Sequence, residues 1–255
     1  MKVELLDHMG SDLDVVNAAR VSFDKQSEWF HGLPGNTAAE LIEDPNCEPS
    51  SYLPAKLFLS GKDRKLIEYL AKHGHWTPFS HCYAKFRIKA PLFCRAQLFK
   101  HKVGLTENEV SRRYVDSEPE FYVPEVWRKR AENIKQGSSD DVVNDLQEPH
   151  PDVAGHVWSV DSFARLNNTE ALCLYKALLD IGVCPEQARM VLPQSMYTEW
   201  IWSGSIAAFA RVYQQRTSDH AQHETKQIAL QIGEALEPLF PVSWKALCEH
   251  SQSHF

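Results

Sequence analysis

The chain has 255 residues, 43% of them apolar, and its 12 Phe, 8 Tyr and 7 Trp are enough to bury a sizeable core. No apolar run approaches the roughly 18 residues that a membrane-spanning helix needs, so we expect a cytoplasmic protein (host cytoplasm, if it is viral) with no membrane partner. The six cysteines form no Cys-x-x-Cys pair, which fits a reducing compartment. The formal net charge of −7 argues against a general nucleic-acid binder.

The spacing of apolar residues predicts an α+β chain that is rich in helices after Val160. The clearest strand is His81–Lys89, in which the residues of one face are apolar and those of the other are Tyr, Lys and Arg. In chain order, the predicted elements are a strand over Lys2–Leu6, helices over Asp12–Arg20 and Asp63–His73, the strand over His81–Lys89, and helices over Pro91–Lys102, Ser162–Ile181, Pro185–Leu192, Ser205–Gln215 and His220–Leu236.

The whole chain, residues 1–255, is predicted to fold as one domain. It shows no internal repeat at periods of 20 to 50 residues and no long low-complexity tract. Two stretches, about 24–60 and 136–152, are predicted to be surface excursions, because the first carries four prolines and the second has five acids and no Lys or Arg. The segments on either side of these two stretches have no apolar pattern that could fold alone. Both stretches are therefore expected to be loops or decorations on the surface, and not linkers between domains.

The common nucleotide and hydrolase fingerprints are missing from the sequence. There is no Gly-x-Gly-x-x-Gly, no P-loop, no Gly-x-Ser-x-Gly and no His-Glu-x-x-His, so side chains must hold the phosphates of any bound nucleotide. His73 and His75 with His81, or His220 with His223, could supply metal ligands. No cysteine or carboxylate lies at a customary spacing from either group, and we predict no metal site.

Residues 85–113 form the most basic segment of this acidic chain, with eight Lys or Arg against two Glu, which indicates a site for an anionic small molecule. On a helix that begins at Pro91, the side chains of Gln97, Lys100 and His101 share one face. The predicted loop beyond it offers an amide, a carboxylate, a hydroxyl and a guanidinium, from Asn108, Glu109, Ser111 and Arg113. Such groups suit a nucleoside monophosphate, since Arg and Ser bind phosphate oxygens and Glu binds ribose hydroxyls.

Two other interpretations of this segment remain open on the residues alone. It could be a solvated basic helix followed by a polar turn. It could also belong to a nucleotide- or nucleic-acid-binding module without catalysis, with Phe86, Phe93 and Phe99 interleaved among the cations. A salt titration separates the second case, because a binder of the nucleic-acid backbone loses affinity steeply with salt.

The order of these residues resembles the signature of the flavin-dependent thymidylate synthases, which is Arg-His-Arg, seven or eight residues, and then Ser-any-Arg. Here it stands as Lys100-His101-Lys102, eight residues, and Ser111-Arg112-Arg113. Further blocks resemble the family in the same order along the chain, namely residues 17–24, 66–70, 73–81, 185–193 and 216–222.

The resemblance implies a fold and an activity. The family forms a single domain with a mainly antiparallel sheet flanked by helices, and assembles as a homotetramer with active sites shared between subunits. It makes dTMP from dUMP, with methylenetetrahydrofolate as carbon donor and FAD, reduced by NADPH, as hydride donor. The resemblance thus implies dUMP and folate as small-molecule partners and no nucleic-acid partner.

The resemblance also implies roles for particular residues. The dUMP ligands would be Gln97, Lys100, Glu109, Ser111, Arg112, Arg113, Arg189 and Arg216. The residues lining FAD would be Thr77, Lys100, His101, Lys102, Asn108, Glu109, Ser205, Arg211 and His220. Arg216 would be catalytic, because a fixed cation at the uracil ring polarises the pyrimidine for attack.

The chain departs from the family pattern at several positions. Lys100 and Lys102 replace arginines, which keeps the charge but not the planar, bidentate geometry. Ser205 and Arg211 stand where the family tends to have Asn. A relative that has kept the fold and lost flavin use is therefore another hypothesis. A thiolate mechanism is a further alternative, because Cys94 lies beside Arg95.

Overall fold

A computed structural model of the chain describes residues 1–32, 56–114, 117–132, 137–143, 145–149 and 157–250. The strands of these residues are β1 (Lys2–Met9), β2 (Phe30–Gly32), β3 (Lys56–Phe58), β4 (Tyr83–Pro91), β5 (Leu105–Glu109), β6 (Arg128–Arg130), β7 (Ser138–Val142), β8 (Asp145–Pro149), β9 (Val157–Ser159) and β10 (Tyr197–Ser205). The helices are α1 (Asp12–Arg20), α2 (Gly61–Lys72), α3 (Leu92–Leu98), α4 (Val160–Asp180), α5 (Pro185–Ala188), α6 (Ile206–Arg216), α7 (His223–Leu236) and α8 (Pro241–Glu249). None of these described helices is both long and apolar enough to cross a membrane.

The centre of the fold is a four-stranded antiparallel sheet in the order β1-β4-β10-β5. Phe86 and Ile88 of β4 lie opposite Trp202 and Trp200 of β10, and all four side chains are buried. The alternate residues of β4, such as Lys85, are exposed on the other face. The alternation of apolar and polar residues along β4 therefore predicted its two faces correctly.

Helices pack on the buried face of the sheet and complete the core. α6 places Phe209 edge-to-face against Phe86 and Trp202, with ring centroids 5.1 and 5.5 Å apart. α7 and α8 contact α6, and α2 contacts α8, so that these elements share one cluster of buried side chains. The prediction of a single α+β domain, with an antiparallel sheet flanked by helices, is confirmed.

Serine marks the start of three helices. α2, α4 and α6 each follow a serine in an extended backbone conformation, whose hydroxyl accepts the backbone N–H three residues further on, namely Ser60, Ser159 and Ser205. The helices predicted in these regions are confirmed to within about three residues. The helix over Asp12–Arg20 is confirmed with both of its bounds.

Other predicted elements were wrong in extent or were missed. α3 ends at Leu98, not at Lys102, and Phe99 packs its ring edge-to-face on Trp200 at 5.6 Å, which holds the following turn against the sheet. The predicted polar loop after it contains strand β5. The helix predicted from Pro185 is the short α5 followed by a 3-10 turn, and β10 and α8 were not predicted.

The two predicted excursions contain short strand pairs in the parts that the structure describes. In the first, β2 pairs with β3, and residues 33–55 lie outside the described residues. In the second, β7 pairs with β6 and β8 pairs with β9. Residues 136, 144 and 150–152 are not described.

One buried carboxylate joins α1 to α8. Asp12 is 2% exposed, and its two oxygens accept the backbone N–H groups of Val242 (2.9 Å) and Ser243 (2.8 Å) in the first turn of α8. We expect Asp12→Ala to lower the free energy of unfolding by about 1–3 kcal/mol, because two N–H groups lose their acceptor. Urea titration measures the change. Asp14→Ala, on the exposed side of the same helical turn, is the control, and an equal loss in both variants would contradict the assignment.

Candidate active site

The first cavity, of about 800 Å³, lies beside α3, the start of α7 and the β6–β7 hairpin. Its lining combines aromatic rings with amide, imidazole and charged groups, among them Phe93, Gln97, Tyr122, Trp127, Arg128, Arg216, His220, Gln222 and Glu224. A cavity with these walls can hold a flat ring and satisfy polar atoms at the edge of the ring.

Arg216 is held in a defined orientation at this cavity. It is the last residue of α6, and its Nε donates a hydrogen bond to Nε2 of His101 at 2.9 Å. Its Nη2 donates to the backbone carbonyl of Gln97 at 3.2 Å. Burial, with the positive charges of Arg216 and Arg211, lowers the pKa of His101 to about 4. His101 is therefore neutral at physiological pH and can accept the hydrogen bond from the arginine.

A second cavity, of about 810 Å³, collects arginines near the end of β5. It is lined by Ser111, Arg112, Arg113 and Arg189, together with residues of β4 and β10. Arg113 Nε donates to Ser111 Oγ at 3.1 Å, and its Nη1 lies 3.5 Å from a carboxylate oxygen of Glu186. Three guanidinium groups and a hydroxyl suit the oxygens of a phosphate.

Glu109 lines the same cavity, but its carboxylate already contacts side chains of α3 and β10. It is the last residue of β5, forms an ion pair with Arg95 of α3, and accepts a hydrogen bond from the Thr198 hydroxyl at 2.8 Å. Asn108, its neighbour on β5, points to the opposite face of the sheet, where it lies opposite Ile201. These two predicted ligands are therefore on different faces.

The lysine triplet follows α3 as a turn and does not continue the helix. Gln97 is helical, whereas Lys100 and His101 lie beyond the helix end, so the predicted shared helical face was wrong. Lys100 is exposed, and Lys102 pairs with Glu107 and lies 5.3 Å from the centre of the Phe99 ring.

Of the other predicted flavin ligands, Arg211 and Ser205 lie next to this turn. Arg211 of α6 donates from Nη2 to the carbonyl of Val103 at 2.6 Å, which fastens α6 to the turn. Ser205 is 3% exposed and caps α6. His220 lines the first cavity, and Thr77 is exposed just before the 3-10 turn at Pro78–His81.

Within this chain, seven of the eight predicted dUMP ligands divide between the two cavities, and Lys100 lines neither of them. Gln97 and Arg216 line the first, whereas Glu109, Ser111, Arg112, Arg113 and Arg189 line the second. Of the described residues, none lines both cavities. The structure therefore does not bring the predicted nucleotide site together in one chain.

Sequence reasoning missed a group of polar residues at the first cavity. Glu224, Gln222, Thr225 and Arg128 form a hydrogen-bonded chain that ends on the side chain of Gln97. Gln222 closes one of the family-like sequence blocks, so it carried a signal. Arg128 carried none, because its contact with Glu224 spans 96 residues of sequence.

A partly buried guanidinium fixed beside one cavity, and a cluster of arginines in another, are features typical of a protein that binds an anionic small molecule. A sequence model of the thymidylate synthase complementing protein family matches residues 4–242. The flavin-dependent thymidylate synthase of Thermus thermophilus is 33% identical over 250 residues, which cover 97% of this chain and 76% of that protein. The flavin-dependent thymidylate synthase of Pseudothermotoga lettingae is 30% identical over 248 residues, with 97% and 90% covered.

Solved structures agree with these sequence matches. The crystal structure of the UMP/dUMP methylase PolB from Streptomyces cacaoi, bound with 5-Br dUMP, superposes with a TM-score of 0.70. The two are 30% identical in sequence, and the match covers 97% of this chain and 94% of that one. The chain belongs to the flavin-dependent thymidylate synthase family.

Proposed function

We propose that the protein reductively methylates dUMP to dTMP, with methylenetetrahydrofolate as the carbon donor and FAD, reduced by NADPH, as the hydride carrier. The observation that carries the proposal is the partly buried guanidinium of Arg216, oriented by neutral His101 at the wall of the first cavity. A cation fixed in advance stabilises negative charge as it develops on a uracil ring, and reorganises little during the reaction. Arg216 is the catalytic residue of this proposal.

The second cavity supplies the phosphate end of the proposed site. Arg113, Arg189 and Ser111 offer several donors to one phosphate group, and Glu109, which lines the same cavity, is the proposed acceptor for a ribose hydroxyl. Since these residues and Arg216 line different cavities of one chain, we propose that each active site combines Arg216 from one subunit with the arginine cluster of another. A homotetramer with shared active sites satisfies this arrangement.

The surface of α4 supports assembly of several copies. Of its 21 residues, only Asn168 and Tyr175 are buried within the single chain. Leu174 is 50% exposed, and Ile181, just beyond the helix end, is 77% exposed. A long helix with so little burial gains most of its stability by packing against other chains.

The turn over residues 100–104 offers cationic hydrogen-bond donors that suit the phosphates of a flavin nucleotide. Lys100 and Lys102 contribute two cations, and Arg211 adds a guanidinium at the same turn. Together with Ser205, Thr77, Asn108 and His220, these residues would hold the phosphates and polar edges of FAD. The bound flavin supplies a hydride, and the protein contributes orientation and charge.

Cysteine chemistry is not needed by this mechanism. Burial raises the pKa of Cys94 to about 12, despite a hydrogen bond with Thr225 that lowers it, so the group is a thiol at physiological pH and a poor nucleophile. We expect Cys94→Ala to retain dUMP-dependent activity and to lose about 1 kcal/mol of stability. Steady-state turnover and thermal unfolding measure the two effects. A folded but inactive Cys94→Ala protein would favour a thiolate mechanism.

The visible spectrum of the purified protein tests the function most directly. We expect flavin absorption bands and formation of dTMP when NADPH, methylenetetrahydrofolate and dUMP are supplied together. If FAD were added in excess and neither flavin binding nor turnover followed, the protein would be a relative that has lost flavin use. Binding of dUMP and of a single-stranded oligonucleotide should then be compared at two salt concentrations, because a nucleic-acid binder would hold the oligonucleotide with a steep salt dependence and a single-nucleotide site would not.

A further inference from the structure

The side chain of Gln97 lies at the end of a hydrogen-bonded chain that starts at a buried ion pair. Arg128 Nη2 donates to Glu224 Oε1 at 2.6 Å, and Gln222 Nε2 donates to Glu224 Oε2 at 3.1 Å. Gln222 Oε1 in turn accepts from Gln97 Nε2. The other end of the Gln97 amide, Oε1, accepts from the Thr225 hydroxyl at 3.2 Å.

The carboxylate at the start of this chain has a defined charge. Glu224 is 5% exposed, and burial alone would raise its pKa. Hydrogen bonds from Arg128 and Gln222, and the charge of Arg128, outweigh burial and lower the pKa below its usual value. The group is therefore ionised at neutral pH, and an ionised carboxylate can only accept hydrogen bonds.

We propose that Glu224 is a positioning residue that sets the direction of the Gln97 side-chain amide, so that Gln97 presents an N–H donor to the nucleotide. Because the carboxylate only accepts, the nitrogen of Gln222 must face Glu224 and its oxygen must face Gln97. The nitrogen of Gln97 must then face Gln222. An amide nitrogen carries two hydrogens, and one of those on Gln97 is used by Gln222, which leaves the other for a carbonyl or phosphate oxygen of the ligand.

This arrangement deepens the proposed function and rests on it, since Gln97 is a proposed dUMP ligand that lines the same cavity as Arg216. A free glutamine side chain can turn over and present either its oxygen or its nitrogen. The fixed charge of Glu224 prevents the Gln97 amide from turning over, although Gln222 and Gln97 lie between Glu224 and the ligand. The site is thereby selective for a ligand that offers a hydrogen-bond acceptor at this point.

The near-isosteric variant Glu224→Gln should exchange the donor and acceptor roles of the two glutamines that link position 224 to the ligand. The new amide would keep its oxygen on Arg128 and turn its nitrogen toward Gln222, so that Gln222 and then Gln97 must both turn over. Gln97 would then present its oxygen to the ligand. We expect the KM for dUMP to rise about tenfold with a smaller change in kcat, because a contact made equally in ground and transition states is lost.

The exchanged double variant Gln222→Glu with Glu224→Gln is the decisive comparison. The carboxylate at position 222 would accept from both neighbouring amides, which returns Gln97 to its original direction, and the KM should return to near the wild-type value. A merely structural role for Glu224 would leave the double variant as impaired as the single one. Glu234→Gln, exposed on the same helix α7, is the matched control and should behave as the wild type.

Neutron diffraction from ligand-free crystals of the wild type and of Glu224→Gln tests the proposal independently of dUMP, because it locates the amide deuterium atoms. We expect the Gln97 nitrogen to face Gln222 in the wild type and Thr225 in the variant, and an unchanged direction would overturn the proposal. If the wild type bound no dUMP, the proposed function would fail and this measurement would still decide the positioning role. Should Glu224→Gln not fold, Gln222→Leu, which breaks the connection between Glu224 and Gln97, must also raise the KM, and an unchanged KM there would overturn the proposal.

Discussion

Arg216→Ala is expected to lower the rate of dTMP formation by about 10² to 10³, because it removes one preorganised cation from the place where negative charge develops on the uracil ring. The fold should survive, since Arg216 is the last residue of α6 and is only partly buried. Flavin binding should also survive, because Lys100, Lys102 and Arg211 are untouched. Single-turnover measurements of dTMP formation, alongside the visible spectrum and a thermal melt, separate these effects.

The control for this variant is Lys245→Ala, which removes an exposed cation that pairs with Glu249 within α8. That variant should keep wild-type activity, since an exposed ion pair contributes little even to stability. Near-normal turnover in Arg216→Ala would show that another group polarises the pyrimidine. A loss of flavin bands in Arg216→Ala would instead place Arg216 at the flavin.

The sequence predicted the elements whose signals are local. Three helices begin directly after Ser60, Ser159 and Ser205. Each of these helix starts depends on one serine side chain and on the backbone N–H three residues further on, and each was predicted closely. The alternation along β4 also appears within nine residues. Such signals need no knowledge of the rest of the chain.

Elements set by distant contacts were harder to predict. β10 contains the run Trp-Ile-Trp followed by Ser-Gly-Ser, in which the period of two is hidden by a continuous apolar stretch and by small residues. It is a strand because it pairs with β4, more than 100 residues earlier in the chain, and with β5. The end of α3 has a similar cause, since the contact between Phe99 and Trp200 joins positions 101 apart.

The arrangement of the candidate site also depends on distant contacts, which limits what the sequence can predict about it. The types of residue that bind a nucleotide could be predicted from the family-like blocks, but their division between two cavities could not, because it depends on how α3, β5 and α6 are arranged in space. The partner of Arg216 was missed for the same reason. His101 was expected to line the flavin, and the structure shows that it also accepts a hydrogen bond from Arg216, 115 positions away.

That hydrogen bond leads to a prediction with two variants. His101→Leu leaves the Arg216 Nε without its acceptor in a partly buried place, and hydrogen bonds to charged groups contribute about 1.5–3 kcal/mol. If this energy is lost from the orientation of Arg216, turnover should fall roughly 10- to 100-fold. His101→Gln, whose side-chain oxygen can accept from the same Nε, should retain more activity than His101→Leu. Equal activity in the two variants would show that the acceptor has no role.

The same histidine should also make stability depend on pH. Burial, together with the charges of Arg216 and Arg211, lowers the pKa of His101 to about 4 in the folded protein, whereas an unfolded histidine titrates near pH 6.5. Between these two values an unfolded His101 binds more protons than the folded one, so the contribution of His101 to the free energy of unfolding falls as the pH falls from about 6.5 toward 4. His101→Gln has no titrating group at this position and should lose less stability over that interval. Urea titrations of both proteins at pH 7 and pH 4.5 measure the difference, and an equal loss in the two would show that His101 does not carry this part of the pH dependence.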